Sequence, residues 1–237
     1  MGNSGAAMPA ANLPGWSLAL AEDFSRNAAL GQFASTYRGW AAYDGAHDTS
    51  GNGLYNSATT MSVHDGMLDE YLHTENGKPQ VTALTPTPDG KWWSGQTHGR
   101  YAVRFRSDDV PGYKMAWLLW PCSDDWSKGE IDFPEGSLGG IVEGYSHDVT
   151  GNPSRNAFSV TSTSSMNDWH TAVIEWVPGR VTYMLDGQSW STTEPSAIPT
   201  DPMSWVLQTE TQLEGGTPSS GAAGHVYIDW VAAWRLA

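Results

Sequence analysis

Glu130, Asp132 and Glu135 fall together in the stretch Gly129-Glu130-Ile131-Asp132-Phe133-Pro134-Glu135-Gly136. In an extended chain alternate side chains share a face, so Glu130 and Asp132 point the same way. Glu135 stands at an odd offset from both and turns to the other face unless one extra residue is inserted between them. Pro134 cannot donate to a sheet ladder and is tolerated in strands mainly at edges and bulges. An irregularity at Phe133-Pro134 is therefore expected to bring all three carboxylates into one row. Carboxylates held that close repel one another, and at least one is expected to keep its proton to higher pH than a free side chain does. A protonated acid beside an ionised carboxylate is the equipment for cleaving a glycosidic bond. The competing reading is a solvated acidic strand face, in a chain with 26 acidic and 12 basic residues. Trp117, Trp120 and Trp126 just upstream, with Gly129 and Gly136 as punctuation, argue against it.

Such a row needs a sheet to carry it. Val81–Leu84, Tyr101–Arg106, Met115–Trp120, Thr171–Val177, Val181–Leu185 and Val226–Trp234 are short and rich in β-branched or aromatic residues. Turn residues separate them, as in Asp44-Gly45, Pro88-Asp89-Gly90, Pro178-Gly179 and Asp186-Gly187. This punctuation, with little helical periodicity, predicts an all-β fold, an antiparallel β-sandwich. No Pro/Gly/Ser-rich linker divides the chain. Residues 13–237 are expected to form one catalytic domain after a flexible N-terminal segment, residues 1–12.

The pattern Glu-x-Asp-x-x-Glu after a Trp-rich strand resembles the active-site signature of glycoside hydrolase family 16, in its bulge-containing form. That family includes laminarinases, lichenases, agarases and carrageenases. Trp16-Ser17-Leu18 with Glu22-Asp23-Phe24 is similar to the family's opening strand, and Asp65-Gly66-Met67-Leu68 to the turn into a core strand. His98-Gly99-Arg100-Tyr101-Ala102-Val103-Arg104-Phe105, the Trp169–Gly187 hairpin and Tyr227-Ile228-Asp229-Trp230-Val231 resemble later strands. The resemblance implies a curved jelly roll with a substrate cleft on its concave face, and a retaining endo-β-glycanase acting on a polysaccharide, most of all a β-1,3-glucan. By the same resemblance Glu130 is the nucleophile, Glu135 the general acid and then base, and Asp132 the group between them that tunes the pair. A different glycan (mixed-linkage glucan, galactan or agarose) and a non-catalytic carbohydrate-binding module stand as alternatives.

Thirteen tryptophans suit a sugar groove, because a pyranose presents an apolar C–H face that stacks on a π-system. Trp126 matches the aromatic residue that precedes the family motif and is assigned to the sugar at the cleavage point. Trp117 and Trp120 lie three apart and face opposite ways in a regular strand, so at most one lines the cleft; Trp117 is assigned there. Tyr113 falls where many laminarinases have Trp, beside a cation, Lys114, that their pattern lacks. Trp93 is a platform or a core residue, and Gln96 stands where the family often has a sugar-binding Arg. His147, in Tyr145-Ser146-His147-Asp148, matches a His near the family's acid/base and is either a site residue or a structural one. Gln208 and Glu210 alternate on one polar face, solvent or cleft, with Gln208 assigned to the cleft. Asn52 and Asn56 border the groove or simply turn the chain.

The formal charge of −14 argues against a nucleic-acid partner, which needs a basic surface, and disfavours an anionic membrane. Neutral glycans fit such a surface better than sulfated ones. No apolar run is long enough to span a membrane, and a monomer is expected. The single cysteine, Cys122, excludes an intramolecular disulfide and reads as a loop thiol. His64 and His73 show no metal-ligand spacing. Residues 1–12 lack the basic and apolar regions of a signal peptide, so a secreted location rests on the substrate class that the resemblance implies. No cofactor is required. The resemblance also implies a structural Ca2+, with Asp229 and Glu22 at the matching positions.

Overall fold

The structure is a computed structural model that describes residues 4–87 and 90–237, so Pro88 and Asp89 of the expected turn lie outside the described residues. Its strands are β1 (Trp16–Glu22), β2 (Trp40–Ala42), β3 (Leu54–Tyr55), β4 (Met61–His64), β5 (Met67–Glu75), β6 (Lys78–Val81), β7 (Ala83–Pro86), β8 (Gly99–Ser107), β9 (Tyr113–Pro121), β10 (Ile131–Ser137), β11 (Ile141–His147), β12 (Asn156–Ser165), β13 (His170–Val177), β14 (Arg180–Leu185), β15 (Gln188–Thr192), β16 (Met203–Thr211) and β17 (Gly224–Leu236). Ten form one sheet, in the order β15-β14-β13-β8-β17-β5-β6-β3 with β1 beside β17 and β4 beside β5; seven form the other, β12-β11-β10-β9-β16-β7-β2. Two α-helical turns, α1 (Phe33–Thr36) and α2 (Ser57–Thr60), join the early strands. Among the described residues no helix is long and apolar enough to cross a membrane.

The hairpins follow from turn chemistry. Asp65-Gly66 joins β4 to β5 and Asp186-Gly187 joins β14 to β15, with both residues of each pair at positive φ. Two-residue turns of that kind match the twist of the flanking strands. The expected strand Val81–Leu84 proves to be two. Val81 ends β6 in the larger sheet and Ala83 opens β7 in the smaller one. Thr82 makes the crossing, its amide donating to the Thr209 hydroxyl at 3.1 Å.

Alternation sorts the side chains into three layers. Between the sheets lie Tyr101, Val103 and Phe105 of β8, Tyr113, Met115, Trp117 and Leu119 of β9, and Met203, Trp205 and Leu207 of β16. Phe105 meets Trp117 edge-on at 5.1 Å, and Tyr101 meets Trp205 at 5.3 Å. Full burial of such side chains contributes about 1.5–3 kcal/mol each. Outside the larger sheet, Trp230, Ala232 and Trp234 form a second cluster with Met8, Leu13, Trp16 and Leu18. The register shift between Ile228 and Trp230 is what turns these tryptophans outward. Their indoles donate to Ala6 O at 3.2 Å and Ala11 O at 2.9 Å, tying down the segment before β1. The third layer is the open face of the smaller sheet.

Candidate active site

The open face is read from the register of β9, β10, β11 and β16. Asp132 pairs with Leu118 on one side and Tyr145 on the other; Glu135 pairs with Ala116 and Glu143. Between these levels β10 spends three residues where each neighbour spends two, so one extra residue is inserted at Phe133-Pro134. This is the expected bulge, and it puts Asp132 and Glu135 on one face. Glu130 continues the row just before β10, its carbonyl accepting from the His147 amide at 3.0 Å.

Glycines fix both ends of the segment. Gly129 has φ 115°, and a Cβ there would lie 2.6 Å from Pro199 and 2.8 Å from Val149. Gly136 has φ 144°, and a Cβ there would lie 2.7 Å from the Ile141 carbonyl. Both positions therefore need glycine. A single 3-10 turn, Trp126–Lys128, precedes Gly129 and is capped by Asp125, whose carboxylate accepts from the Ser127 amide. It delivers the Trp126 indole N–H to Glu130 Oε2 at 2.5 Å, and the ring lies 5.6 Å from His147.

His147 binds the row from the other side. Its Nδ1 donates to the Pro153 carbonyl at 2.6 Å, since a carbonyl can only accept. Its Nε2 therefore faces the carboxylates, 3.2 Å from Asp132 Oδ2 and 3.7 Å from Glu130 Oε2. Complete burial pushes Asp132 well above the usual carboxylate range, helped by repulsion from Glu130 and Glu135 and by its hydrogen bond to Glu130. Glu130 is also raised by burial, but His147, the Trp126 indole and Asp132 all work to keep it charged. Of these two, Asp132 is the one its surroundings push further toward the protonated form, hydrogen-bonded to Glu130.

Glu135 meets a cation. Lys114 Nζ lies 3.0 Å from Glu135 Oε1 and 3.8 Å from Glu210 Oε2. Burial alone would lower the Lys114 pKa, but Glu135 and Glu210 outweigh it and the net shift is upward. Glu210 is fixed in turn: the Thr49 amide, the Thr49 hydroxyl and the Tyr55 hydroxyl all donate to its Oε1, at 3.1, 2.7 and 2.8 Å. Asp48 of the same loop accepts from the amide and hydroxyl of Thr211 at 2.8 and 2.7 Å, closing the loop over β16.

Of the residues expected to bind substrate, Trp126, His147 and Gln208 lie at this face. Gln208 shares a level with Ala116, the neighbour of Glu135. Trp93 sits at its rim, in a cluster with the exposed Trp92 and with Tyr43, 5.7 Å from the Tyr43 ring. Tyr43 is bonded to Ala83, the partner of Gln208. Tyr113 and Trp117 are corrections. Both are fully buried between the sheets, because β9 turns its odd-numbered residues inward and presents Lys114, Ala116, Leu118 and Trp120 to the open face. Trp120 is the cleft-side member of its pair, its indole donating to Asp124 at 2.9 Å. Gln96 is also structural, donating to the Trp234 carbonyl at 2.8 Å. Asn56 donates to Gln80 at 2.8 Å. Sequence reasoning passed over Lys114, Glu143 and Tyr145 as site residues; the even-numbered alternation that starts at Lys114 was the signal for the first.

Asp229 and Glu22, the positions for a structural cation, lie on β17 and β1. Asp229 Oδ2 accepts from the Ser4 hydroxyl, while Oδ1 is buried without a hydrogen-bond partner. Glu22 Oε1 accepts from the Phe24 amide at 3.1 Å, and burial raises its pKa. An orphaned buried carboxylate oxygen suits a hard cation. Neither residue belongs to a cluster of three ligating side chains among the described residues.

A jelly-roll-like sandwich with a bulged carboxylate row on its open face defines a glycoside hydrolase. The chain belongs to glycosyl hydrolases family 16, whose model matches residues 92–232. Solved structures share the fold. A non-specific endo-β-1,3(4)-glucanase of the family is 17% identical, with a TM-score of 0.73, over 100% of this chain and 96% of that one. A laminarinase from Rhodothermus marinus is 20% identical (TM-score 0.73; 94% and 98% covered). An endo-β-1,3-glucanase from Pyrococcus furiosus is 16% identical (TM-score 0.73; 94% and 95% covered). A comparison with curated protein sequences finds no match.

Proposed function

We propose that this family 16 hydrolase is a retaining endo-β-glycanase, secreted, that cleaves a neutral β-glucan rich in 1,3 linkages by double displacement. The observation that carries this reading is the row Glu130, Asp132, Glu135 on one open face, with the Trp126 indole on Glu130. Glu130 attacks the anomeric carbon while Glu135 gives its proton to the departing glycosidic oxygen. Water then attacks the glycosyl ester, its proton passing to Glu135, and Glu130 leaves as a carboxylate. Asp132, neutral and hydrogen-bonded to Glu130, withdraws negative charge from the nucleophile and becomes a better donor as that carboxylate is reborn.

Carboxylates at Glu143 and Glu210 beside the row favour an uncharged glycan over a sulfated or uronate-rich one. The glucanase names of the structural neighbours support the substrate class, at identities that speak for the fold. A structural Ca2+ at Asp229 is part of the same proposal. Reducing-end release on laminarin, mixed-linkage glucan, agarose and β-1,3-galactan tests the reading. Release is expected first from laminarin, with the β-anomer formed first. Silence on all four, or an inverted first product, would overturn it.

A further inference from the structure

Lys114 sits between two anions and is only 14% exposed, so its ammonium has little room to turn into solvent. Glu135 Oε1 is 3.0 Å away on one side and Glu210 Oε2 is 3.8 Å away on the other. Glu210 is 1% exposed and its Oε1 already accepts three hydrogen bonds, which leaves Oε2 turned toward Lys114. We propose that Lys114 is a positioning residue whose ammonium passes from Glu135 to Glu210 when Glu135 takes up a proton and returns when that proton is given away. This rests on Glu135 being the acid/base.

The physical reason is the cost of a buried, unpaired charge. A protonated Glu135 no longer holds an ammonium strongly, and a buried Lys114 without a counter-ion is costly. Glu210, held rigid by Thr49 and Tyr55, supplies the alternative anion within 4 Å. When Glu135 protonates the departing oxygen it becomes a carboxylate, and Lys114 moves back to stabilise the charge just formed. The ammonium then favours the transition state without locking Glu135 in its ionised form.

Other groups face Glu135 and leave this arrangement intact. Asp132 lies on its own strand and Glu130 just before it, Glu143 and Tyr145 lie on β11, and Glu214 in the segment after β16 lines the same groove. Tyr183 of β14 lies beneath. None of these carries a positive charge; among the described residues Lys114 is the cation paired with Glu135.

The test has a structural arm and a titration arm. In a crystal structure of Glu135→Gln, which mimics the uncharged acid, Lys114 is expected to close on Glu210 Oε2 to about 2.8 Å and to draw away from position 135. Carboxyl 13C NMR of glutamate-labelled protein follows Glu135 without any substrate. Lys114→Met removes the cation that favours the ionised form, so the carboxylate signal of Glu135 should need higher pH to appear than in the parent, with the basic limb of kcat/KM moving alongside. Glu210→Gln, which keeps an acceptor for Thr49 and Tyr55, should move both down, since the ammonium then has Glu135 alone. Lys114→Arg should stay near the parent and serves if the Met variant does not fold. Lys114 remaining on position 135 in Glu135→Gln would overturn the proposal, as would a Lys114→Met titration that does not move. A parent with no glycosidase activity would instead sink the functional reading, while the crystal and NMR arms still decide this one.

Discussion

The indole N–H of Trp126 donates to Glu130 Oε2 at 2.5 Å, so the aromatic residue beside the carboxylate row is bonded to one of its members. Trp126 is also 37% exposed, which leaves ring surface for a sugar. Two roles on one side chain can be separated. Trp126→Phe keeps a stacking face but removes the donor, and a hydrogen bond to a charged group is worth about 1.5–3 kcal/mol. A loss of roughly 10- to 100-fold in kcat, with KM changed little, is expected. Trp126→Ala should raise KM as well. Unchanged kcat in Trp126→Phe would show that the bond to Glu130 does not serve the reaction.

The two glutamates should respond differently to an added nucleophile. Glu130→Ala leaves room at the anomeric carbon, and azide should restore turnover by direct displacement, giving an α-glycosyl azide from a β-glycoside. Glu135→Ala should stay active on substrates whose leaving group needs no proton, with azide yielding the β-product from the glycosyl ester. NMR of the azide products decides the assignment, and exchanged stereochemistry would swap the two roles.

The row itself was legible because three carboxylates at those offsets fit one face only if a residue is inserted, and Pro134 marked where. The inward placement of Tyr113 and Trp117 was not legible from the apolar residues of β9. Ala116 and Leu118 on the open face are nearly as buried as the inward residues, so hydrophobicity does not tell the two faces apart. Lys114 was the one polar marker of parity, and reading the strand from it turns Tyr113 and Trp117 inward. The pairing of Lys114 with Glu210 depends on β9 lying beside β16, a contact between distant strands that no local pattern specifies. The crossing at Thr82 was hidden for a similar reason, since a run of apolar and β-branched residues reads as one strand.

Asp132 carries an opposition between activity and stability. Its carboxyl is held well above the usual range by burial, so the folded protein binds a proton that the unfolded chain releases near pH 4. Stability is therefore greatest below that value and falls as pH rises toward the folded-state pKa. Asp132→Asn offers Glu130 an amide donor at every pH. Denaturation midpoints should show the variant gaining on the parent from pH 4 upward, while its kcat drops as the adjustable proton is lost. A difference in midpoint that is flat with pH would mean that Asp132 is ionised in the folded protein.

Calcium should act through Asp229. If a cation satisfies the buried Oδ1, millimolar Ca2+ raises the melting temperature of the parent and a chelator lowers it, whereas Asp229→Asn responds to neither. A melting temperature indifferent to both would remove the cation from the proposal.

Glu70 offers the sharpest pH signature away from the active site. It lies on β5 between Leu68 and Leu72, both core residues, and is itself fully buried. Neither carboxyl oxygen meets a hydrogen-bond donor of good geometry, with the Thr82 hydroxyl its polar neighbour, and burial raises its pKa to about 8. In the unfolded chain a glutamate titrates near 4.3. The contribution to stability is thus fully present below about pH 4 and declines as pH rises through the folded value, by about 1.4 kcal/mol per unit at most. Glu70→Gln has the shape of the protonated acid and no charge to bury. Its denaturation midpoint should match the parent near pH 4, exceed it by a margin that widens up to about pH 8, and keep a constant lead beyond. Activity should be unchanged, since Glu70 lies on the other sheet from the row of Glu130, Asp132 and Glu135. A parent whose stability does not fall across that window relative to Glu70→Gln would show that the buried carboxyl finds a partner when it ionises.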